Sequence, residues 1–245
     1  MDPDEYKLMY EVEESHWWYH GMAEVTRSII EKYYPTNGNI RILDAGCGTG
    51  AGMAFLSRYG NVYGFDISPL AIQYCMKRSH RNLAIGSVME VPFSDTTFEL
   101  ITSLDVLYFT DVSDEAVLKE FVRVLLPGGR VIIRVPAFNW LRGIHDEKVS
   151  TGHRYTLREL KTKLSNAGFH PLLMSYANAM LLPFVVFKRF LERPFRFQTA
   201  SDTAIQLGFI GKLFRYFLTT ESRLITRHSL PLGVSIFGVA QKPKS

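Results

Sequence analysis

Cysteine is scarce in this 245-residue chain, which has only Cys47 and Cys75. Two cysteines supply neither a disulfide framework nor the spacing of a metal site. Long apolar runs are also missing. The longest run, residues 177–187, contains Asn178 and Pro183 and is shorter than the roughly twenty residues that a membrane-spanning helix needs. The acidic first residues lack the charged-then-apolar pattern of a signal peptide. These absences predict a cytoplasmic protein with reduced thiols.

The charge is distributed unevenly along the chain. Residues 1–139 hold 12 basic and 18 acidic side chains, a net charge of −6, whereas residues 140–245 hold 16 and 6, a net charge of +10. In residues 181–197, LLPFVVFKRFLERPFRF, the basic side chains alternate with large apolar ones. That mixture favours peripheral contact with an anionic membrane over nucleic-acid binding.

A glycine-rich loop follows a short apolar run at residues 42–50, ILDAGCGTG. The apolar run predicts a buried strand, and glycines at every second position allow the backbone to approach a ligand closely. A second acid, Asp66, ends the next strand candidate and lies 22 residues after Asp44. This spacing is typical of a carboxylate that binds ribose hydroxyls beside a nucleotide-cofactor loop.

Asp44 indicates which cofactor the loop binds. GCGTGA, residues 46–51, also satisfies a loose dinucleotide motif. A carboxylate two residues before the first glycine would repel a pyrophosphate but suits a ligand with a positive amino group and no phosphate. S-Adenosylmethionine is such a ligand.

The chain resembles the class I S-adenosylmethionine-dependent methyltransferases, in particular the type 11-like domain family. The resemblance covers residues 38–175 and includes GSVMEVPF from Gly86, DVLYF from Asp105 and LLPGGRVII from Leu125. It implies that S-adenosylmethionine is bound by Asp44, Gly46, Cys47, Gly48, Gly50, Asp66, Ile67, Ser87, Val88, Met89, Ser103, Leu104 and Asp105. Relatives often have an acid where this chain has Ser87, so adenine recognition is expected to rely on backbone groups of Val88 and Met89.

Alternating strand and helix patterns predict an α/β fold, a Rossmann-like, doubly wound and mostly parallel sheet. Seven strands are expected, the last one antiparallel, as in the family that the chain resembles. We expect four segments: an N-terminal helical lid with aromatic residues (1–38), the cofactor-binding core (39–176), a helical insertion that caps the substrate (177–232), and the last strand with the tail (233–245). The insertion is much longer than an ordinary connection.

Candidate catalytic residues lie where loops should surround the reacting atoms. Methyl transfer requires an acceptor atom about 3 Å from the methyl carbon, and a positioned base helps when the acceptor carries a proton. The candidates for this role are His145, His153, Tyr155 and His16, with Asp146 able to orient an imidazole. Candidate substrate residues are Trp17, Trp18, Tyr19 and Tyr108. No metal is predicted, because His145, Asp146, Glu147 and His153 match no ligand spacing.

The expected function is methyl transfer to a small apolar acceptor that is lipid-like, isoprenoid or a secondary metabolite. Whether oxygen, nitrogen or carbon is methylated is open, as is the oligomeric state. One alternative is an NAD-dependent oxidoreductase, disfavoured by Asp44. Another is a non-enzymatic, membrane-associated protein that retains the fold. Nucleic acid is not an expected substrate, because no asparagine-proline-proline-aromatic motif is present.

Overall fold

The structure is a computed structural model that describes residues 3–34, 36, 38–143, 146, 151–195 and 208–244. Within these residues, seven strands form a single sheet in the order β3-β2-β1-β4-β5-β7-β6. The strands are β1 (Ile40–Ala45), β2 (Gly60–Asp66), β3 (Leu83–Ile85), β4 (Phe98–Leu104), β5 (Leu125–Pro136), β6 (His170–Ala177) and β7 (Ser235–Gln241). Within this sheet β7 pairs antiparallel with both β5 and β6, so it is the one strand that runs opposite to the other six. The predicted seven-stranded, Rossmann-like sheet is therefore confirmed.

Eight helices are described in the same residues, two of them before the first strand. They are α1 (Pro3–Val12), α2 (Trp17–Tyr33), α3 (Ala51–Leu56), α4 (Pro69–Lys77), α5 (Asp114–Val124), α6 (Leu157–Asn166), α7 (Leu182–Phe195) and α8 (Gly208–Ile225). Side-chain caps begin several of them, since Ser68, Ser113 and Thr156 each accept a hydrogen bond from a backbone N–H of the first turn. The first two helices, α1 and α2, both lie within residues 1–38.

The two faces of the sheet carry different layers of the hydrophobic core. Leu43, Ile101 and Ile133 face α5 and α6, where Phe121 and Leu164 are fully buried. Alternate residues such as Ile42, Leu100 and Ile132 face the opposite layer, which α2 and α8 contribute to. Because side chains alternate along a strand, Asp44 and Thr102 also face the α2 layer. The polar residues at the carboxyl ends of β1 and β4 are thus brought beside the N-terminal helices.

The connection between β6 and β7 contains α7 and α8, in agreement with the expected helical insertion. Trp17 and Trp18 of α2 pack with Leu181, Phe214 and Leu218, which joins the insertion to the N-terminal helices. None of the described helices has the length and apolarity needed to cross a bilayer. The division into four segments at residues 38, 176 and 232 stays a prediction.

Candidate cofactor and acceptor site

The glycine-rich loop turns sharply between β1 and α3. Gly46, Gly48 and Gly50 all have positive φ, at 76°, 53° and 91°. A Cβ on Gly46 would lie 2.5 Å from the Val106 side chain, so this position excludes every larger residue. The backbone N–H groups of Gly46 and Cys47 both donate to the Phe65 carbonyl, at 2.9 and 3.0 Å. These contacts fix the loop against the end of β2.

Asp66 organises the same loop through its carboxylate. Its Oδ2 accepts from the Gly48 N–H at 3.0 Å, and its Oδ1 accepts from the Ser68 N–H at 2.9 Å. The Tyr6 hydroxyl of α1 donates to Oδ1 at 3.4 Å. Burial raises the pKa of Asp66, although the two backbone N–H groups oppose that shift. Ile67 follows directly and is 71% exposed, so it presents an apolar surface beside the carboxylate.

Asp44 is buried beneath the loop beside the start of α3. The Thr102 hydroxyl donates to its Oδ1 at 2.8 Å. Burial raises the pKa of Asp44 to about 6, while the Thr102 hydrogen bond acts in the opposite direction. Gly52 adjoins the other carboxylate oxygen, because a Cβ at this position would lie 2.8 Å from Oδ2. The site therefore holds a dry carboxylate that gains most from a positively charged ligand.

The N-terminal helix α1 contacts the glycine-rich loop through a buried polar cluster. The Thr49 hydroxyl donates to Glu13 Oε1, which also pairs with Arg78 Nη2 at 2.8 Å. Arg78 Nε donates to the Thr49 carbonyl at 3.0 Å. Burial raises the pKa of Glu13 despite the hydroxyl and guanidinium partners. We call Glu13, Thr49 and Arg78 the latch. Sequence reasoning missed it, because its members are far apart in the chain.

The residues predicted to contact the adenine, 87–89, form a turn after β3. Ser87 Oγ accepts a hydrogen bond from the Met89 N–H at 3.2 Å, so this backbone donor already has an internal partner. Val88 is 9% exposed and belongs to the hydrophobic core, whereas Met89 is 38% exposed. An exposed, apolar Met89 side chain is thus the feature of this turn that is best suited to contact a flat ring.

Successive residues at the carboxyl end of β4 lie on opposite faces of the sheet. Ser103 follows Thr102 and so points to the face opposite Asp44. Its Oγ is buried and has no hydrogen-bond partner among the described residues. A side-chain role for Ser103 in the cofactor site is therefore not supported. Leu104 returns to the Asp44 face and packs against the core cluster that contains Ile132.

A second polar cluster lies at the ends of β4 and β5. Arg134 binds Asp105 Oδ2 through Nε at 2.9 Å and through Nη2 at 2.5 Å. Burial raises the pKa of Tyr19 and of Tyr108, and in each case the negative charge of Asp105 adds to the shift. Both phenols therefore stay protonated at neutral pH and are able to donate a hydrogen bond. We call Tyr19, Asp105, Tyr108 and Arg134 the acceptor cluster. Arg134 was not predicted from the sequence.

Trp17, Trp18 and His16 have structural contacts that the sequence did not predict. The Trp17 ring lies 5.2 Å from that of Phe214 in α8, and Trp18 packs in the same cluster. The His16 ring is buried at the start of α2, where Nδ1 accepts from the Trp18 N–H at 3.3 Å. These positions fix α2 against α8. They do not support the predicted substrate contacts of the two tryptophans.

The loop after β5 holds the other catalytic candidates in ion pairs and core contacts. His153 Nε2 lies 2.7 Å from Glu159 Oε1, and the Tyr155 hydroxyl donates to the Leu107 carbonyl at 3.0 Å. Tyr155 is 1% exposed, which places its hydroxyl within the core. A general base must reach the acceptor proton, so this placement does not support catalysis by Tyr155. His145 lies outside the described residues.

Asp146 is paired with Arg154, and the imidazole of His153 lies beside Glu159 instead. Arg154 Nε and Nη2 bind its two oxygens at 2.8 and 3.1 Å, and the Gly143 N–H donates to Oδ2. Burial by itself would raise the pKa of Asp146. The hydrogen bonds and the positive charge of Arg154 lower it by more, so the pKa lies below its usual value. Among the described residues, no group of three or more metal-ligating side chains is found.

The two cysteines, for which no disulfide framework was predicted, are neighbours in the structure and both are free thiols. Their Sγ atoms lie 3.7 Å apart, and Cys75 Sγ also contacts the Gly48 carbonyl at 3.2 Å. Contact with the Cys75 thiol and burial both raise the pKa of Cys47. Cys47 therefore behaves as a small apolar residue that supports the loop, and the chain lacks a reactive thiolate at this position.

Comparisons with known proteins identify the central part of the chain. Residues 43–133 match the family model described as a methyltransferase domain. The chain is 32% identical to phosphoethanolamine N-methyltransferase 1 of Zea mays over 122 residues, 46% of this chain and 24% of that protein. It is 28% identical to a fatty-acid O-methyltransferase of Mycolicibacterium smegmatis over 117 residues, 43% of this chain and 42% of that protein.

A solved structure extends the similarity of the fold to most of the chain. Geranyl diphosphate C-methyltransferase from Streptomyces coelicolor, in complex with Mg²⁺, geranyl diphosphate and S-adenosylhomocysteine, aligns with a TM-score of 0.59. The alignment covers 90% of this chain and 78% of that one at 13% identity. The chain spans less than half of the length of the two sequence relatives above.

Proposed function

Because this chain carries a methyltransferase domain of the class I S-adenosylmethionine-dependent family, we propose that it transfers a methyl group from S-adenosylmethionine to a small, lipid-like acceptor. The observation that carries the proposal is the pairing of buried Asp44 with the positive-φ glycines and Asp66 around one loop. A dinucleotide cofactor would bring a pyrophosphate close to Asp44, which opposes it electrostatically. The oxidoreductase alternative is therefore disfavoured.

The residues present fit this cofactor. Asp44 would bind the amino group of the methionine part, Asp66 the ribose hydroxyls, and Ile67 and Met89 the adenine. The positive φ angles of Gly46, Gly48 and Gly50 let the loop turn sharply beside these side chains without Cβ atoms. S-Adenosylmethionine, when bound, supplies an electrophilic methyl group on a sulfonium.

The acceptor cluster supplies the groups that would position the acceptor. Tyr19 and Tyr108 remain protonated and donate hydrogen bonds, and Asp105 accepts one from a hydroxyl or amino group. Arg134 holds the Asp105 carboxylate in place through two nitrogens. The cluster would orient the acceptor. Orientation alone supplies a large part of methyl-transfer catalysis, so the proposal does not require a residue that removes a proton from the acceptor.

The class of acceptor is a proposal supported by the surroundings and by the relatives. The exposed side chains of Phe184, Phe187 and Trp140 offer apolar surface in and beside the helical insertion. The names of the compared proteins refer to phosphoethanolamine, fatty acids and geranyl diphosphate. These acceptors share lipid or lipid-precursor chemistry, and we propose the same class here.

Isothermal titration of the purified protein with S-adenosylhomocysteine, and in parallel with NADH, tests the cofactor. We expect micromolar binding of the first and none of the second. Asp66→Asn should weaken that binding at least about tenfold, because it replaces a charged acceptor by an amide while keeping the side-chain shape. Asp95→Asn, on an exposed side chain, is the matched control. Failure of S-adenosylhomocysteine to bind would reject the proposal.

Turnover is tested separately with methyl-labelled S-adenosylmethionine and a fractionated lipid extract. Label should enter the lipid fraction, and Tyr108→Phe should lower the rate without changing cofactor affinity. Cofactor binding without label in any fraction would instead favour the non-enzymatic alternative.

A further inference from the structure

Helix α7 presents an aromatic face to the surface. Phe184, Phe187 and Phe190 are 52%, 66% and 72% exposed, and Pro183 beside them is also exposed. Successive residues of a helix are rotated by about 100°, so these four positions lie within a sector of about 120°. Across its described side chains, α7 therefore has no polar residue on its exposed face.

The opposite side of α7 packs against the protein. Arg189 is 8% exposed, and its Nε donates to the Leu141 carbonyl at 3.0 Å. Val185 and Val186 are half-buried. An ordinary surface helix buries its apolar side chains and exposes its charged ones. In α7 the arginine lies on the buried side and the phenylalanines lie on the exposed side. Such an arrangement is costly in water and points to an apolar partner.

Helix α8 extends the aromatic face. The rings of Phe184 and Phe214 lie 5.1 Å apart and join the two helices. On α8, Tyr216 and Leu213 are 67% and 42% exposed. The three phenylalanines alone expose on the order of 400 Å² of apolar surface, which is the size of patch that marks an interaction site. We call Phe184, Phe187, Phe190, Leu213 and Tyr216 the aromatic surface.

The exposed charged side chains of α8 and of the residues just after it are positive. Arg215 and Arg223 of α8, and Arg227 just after it, are exposed. Among side chains described from residue 178 onward, Glu221 is the only carboxylate. It is 1% exposed, with Oε2 accepting from the Met180 N–H at 3.3 Å. In the described part of α7 and α8, aromatic residues flanked by arginines and without exposed acids match the interface of an anionic bilayer.

We propose that the aromatic surface inserts into the interface of an anionic lipid membrane, with α7 and α8 lying on that membrane. The phenylalanines enter the boundary between headgroups and acyl chains, while the arginines meet lipid phosphates. The inference deepens the proposed function, since a membrane is then the source of the lipid-like acceptor. Membrane binding itself is measured without turnover.

Co-sedimentation with vesicles tests this inference. Vesicles of phosphatidylcholine mixed with phosphatidylglycerol should bind the protein, and pure phosphatidylcholine vesicles should bind it much more weakly. The double variant Phe187→Glu, Phe190→Glu should reduce binding to the anionic vesicles by roughly tenfold or more. Met76→Glu, on the exposed side of α4 and 59% exposed, is the matched control and should bind like the unmodified protein.

A second pair of variants tests the charges. Arg215→Glu with Arg223→Glu should also weaken anionic-vesicle binding by about tenfold or more. Arg158→Glu with Lys161→Glu, on exposed positions of α6 at the other face of the sheet, should leave it unchanged. Circular dichroism and thermal unfolding of every variant show that the fold is intact. This control does not depend on cofactor binding, so it separates this test from that of the proposed function.

Two results would overturn the inference. One is equal vesicle binding by the unmodified protein and by the phenylalanine variant. The other is absence of binding of the unmodified protein to the anionic vesicles. A dimer in sedimentation velocity that the phenylalanine variant abolishes would then assign the aromatic surface to a second copy of this chain.

Discussion

Arg78 Nη2 and Glu13 Oε1 lie 2.8 Å apart although 65 residues separate them in the chain. Through this ion pair, α1 is attached to α4 and to the glycine-rich loop between them. The same helix places Tyr6 against Asp66, one of the proposed cofactor ligands. The N-terminal segment that covers the loop is therefore α1, which lies before the aromatic residues from which a lid was predicted.

Arg78→Met should release α1 from the loop. The substitution leaves the Glu13 carboxyl buried without its cation, a change that costs on the order of 2 kcal/mol in a partly buried pair. Backbone amides of residues 3–12 should then exchange with deuterium at least about tenfold faster, because local opening becomes easier. Arg58→Met, on an exposed arginine, is the control. Unchanged exchange in α1 would show that the latch contributes nothing.

Gly52→Ala should disturb the cofactor site without weakening the fold. Alanine normally favours a helix over glycine by about 1 kcal/mol. Here its Cβ would lie 2.8 Å from Asp44 Oδ2, so the carboxylate must move. We expect affinity for S-adenosylhomocysteine to fall by about tenfold or more in calorimetry. Ala54→Ser adds one atom on the exposed side of the same helix and should bind normally. Equal affinities of the two variants would contradict the predicted role of Asp44.

Cofactor affinity should depend on pH through Asp44. Its pKa is about 6 in the folded protein, so the carboxylate is ionised at pH 8 and mostly protonated at pH 5. The ionised form attracts the amino group of the ligand, and the neutral form does not. Affinity for S-adenosylhomocysteine should therefore fall by up to about tenfold per pH unit below pH 6.

Asp44→Asn is the control for this pH dependence. Its affinity should be weak at every pH, and only the smaller contribution of Asp66, whose pKa is also raised, should remain. If the asparagine variant keeps the full pH dependence of the unmodified protein, another group is responsible.

Tyr155→Phe should affect stability more than activity. The lost hydroxyl leaves the Leu107 carbonyl without its buried donor and removes a contact with Asp114, which costs about 1–2 kcal/mol in urea unfolding. Tyr216→Phe, at a position 67% exposed, should have no such effect. A large loss of methyl transfer with unchanged stability would instead restore the predicted catalytic role of Tyr155.

Much of the core could be predicted from neighbouring residues. The run from Ile42 to Gly50 encodes a strand and a tight turn within a few residues, since apolar side chains and positive-φ glycines act locally. Strand and helix periods predicted the parallel sheet, because alternation and helical spacing are properties of short segments. The offset from Asp44 to Asp66 placed both acids at the same edge of adjacent strands.

Only the tertiary structure decided the contacts between segments that are distant in the chain. Trp17 packs against Phe214, Arg134 pairs with Asp105, and Cys47 lies beside Cys75, yet none of these pairs is close in sequence. The aromatic residues of the N-terminal segment fit a substrate lid and a core helix equally well, because an aromatic side chain contributes apolar area in either setting. The sequence by itself determined the strand, the glycine-rich loop and its two acids. Packing decided which aromatic residues are buried and which, as on α7, remain at the surface.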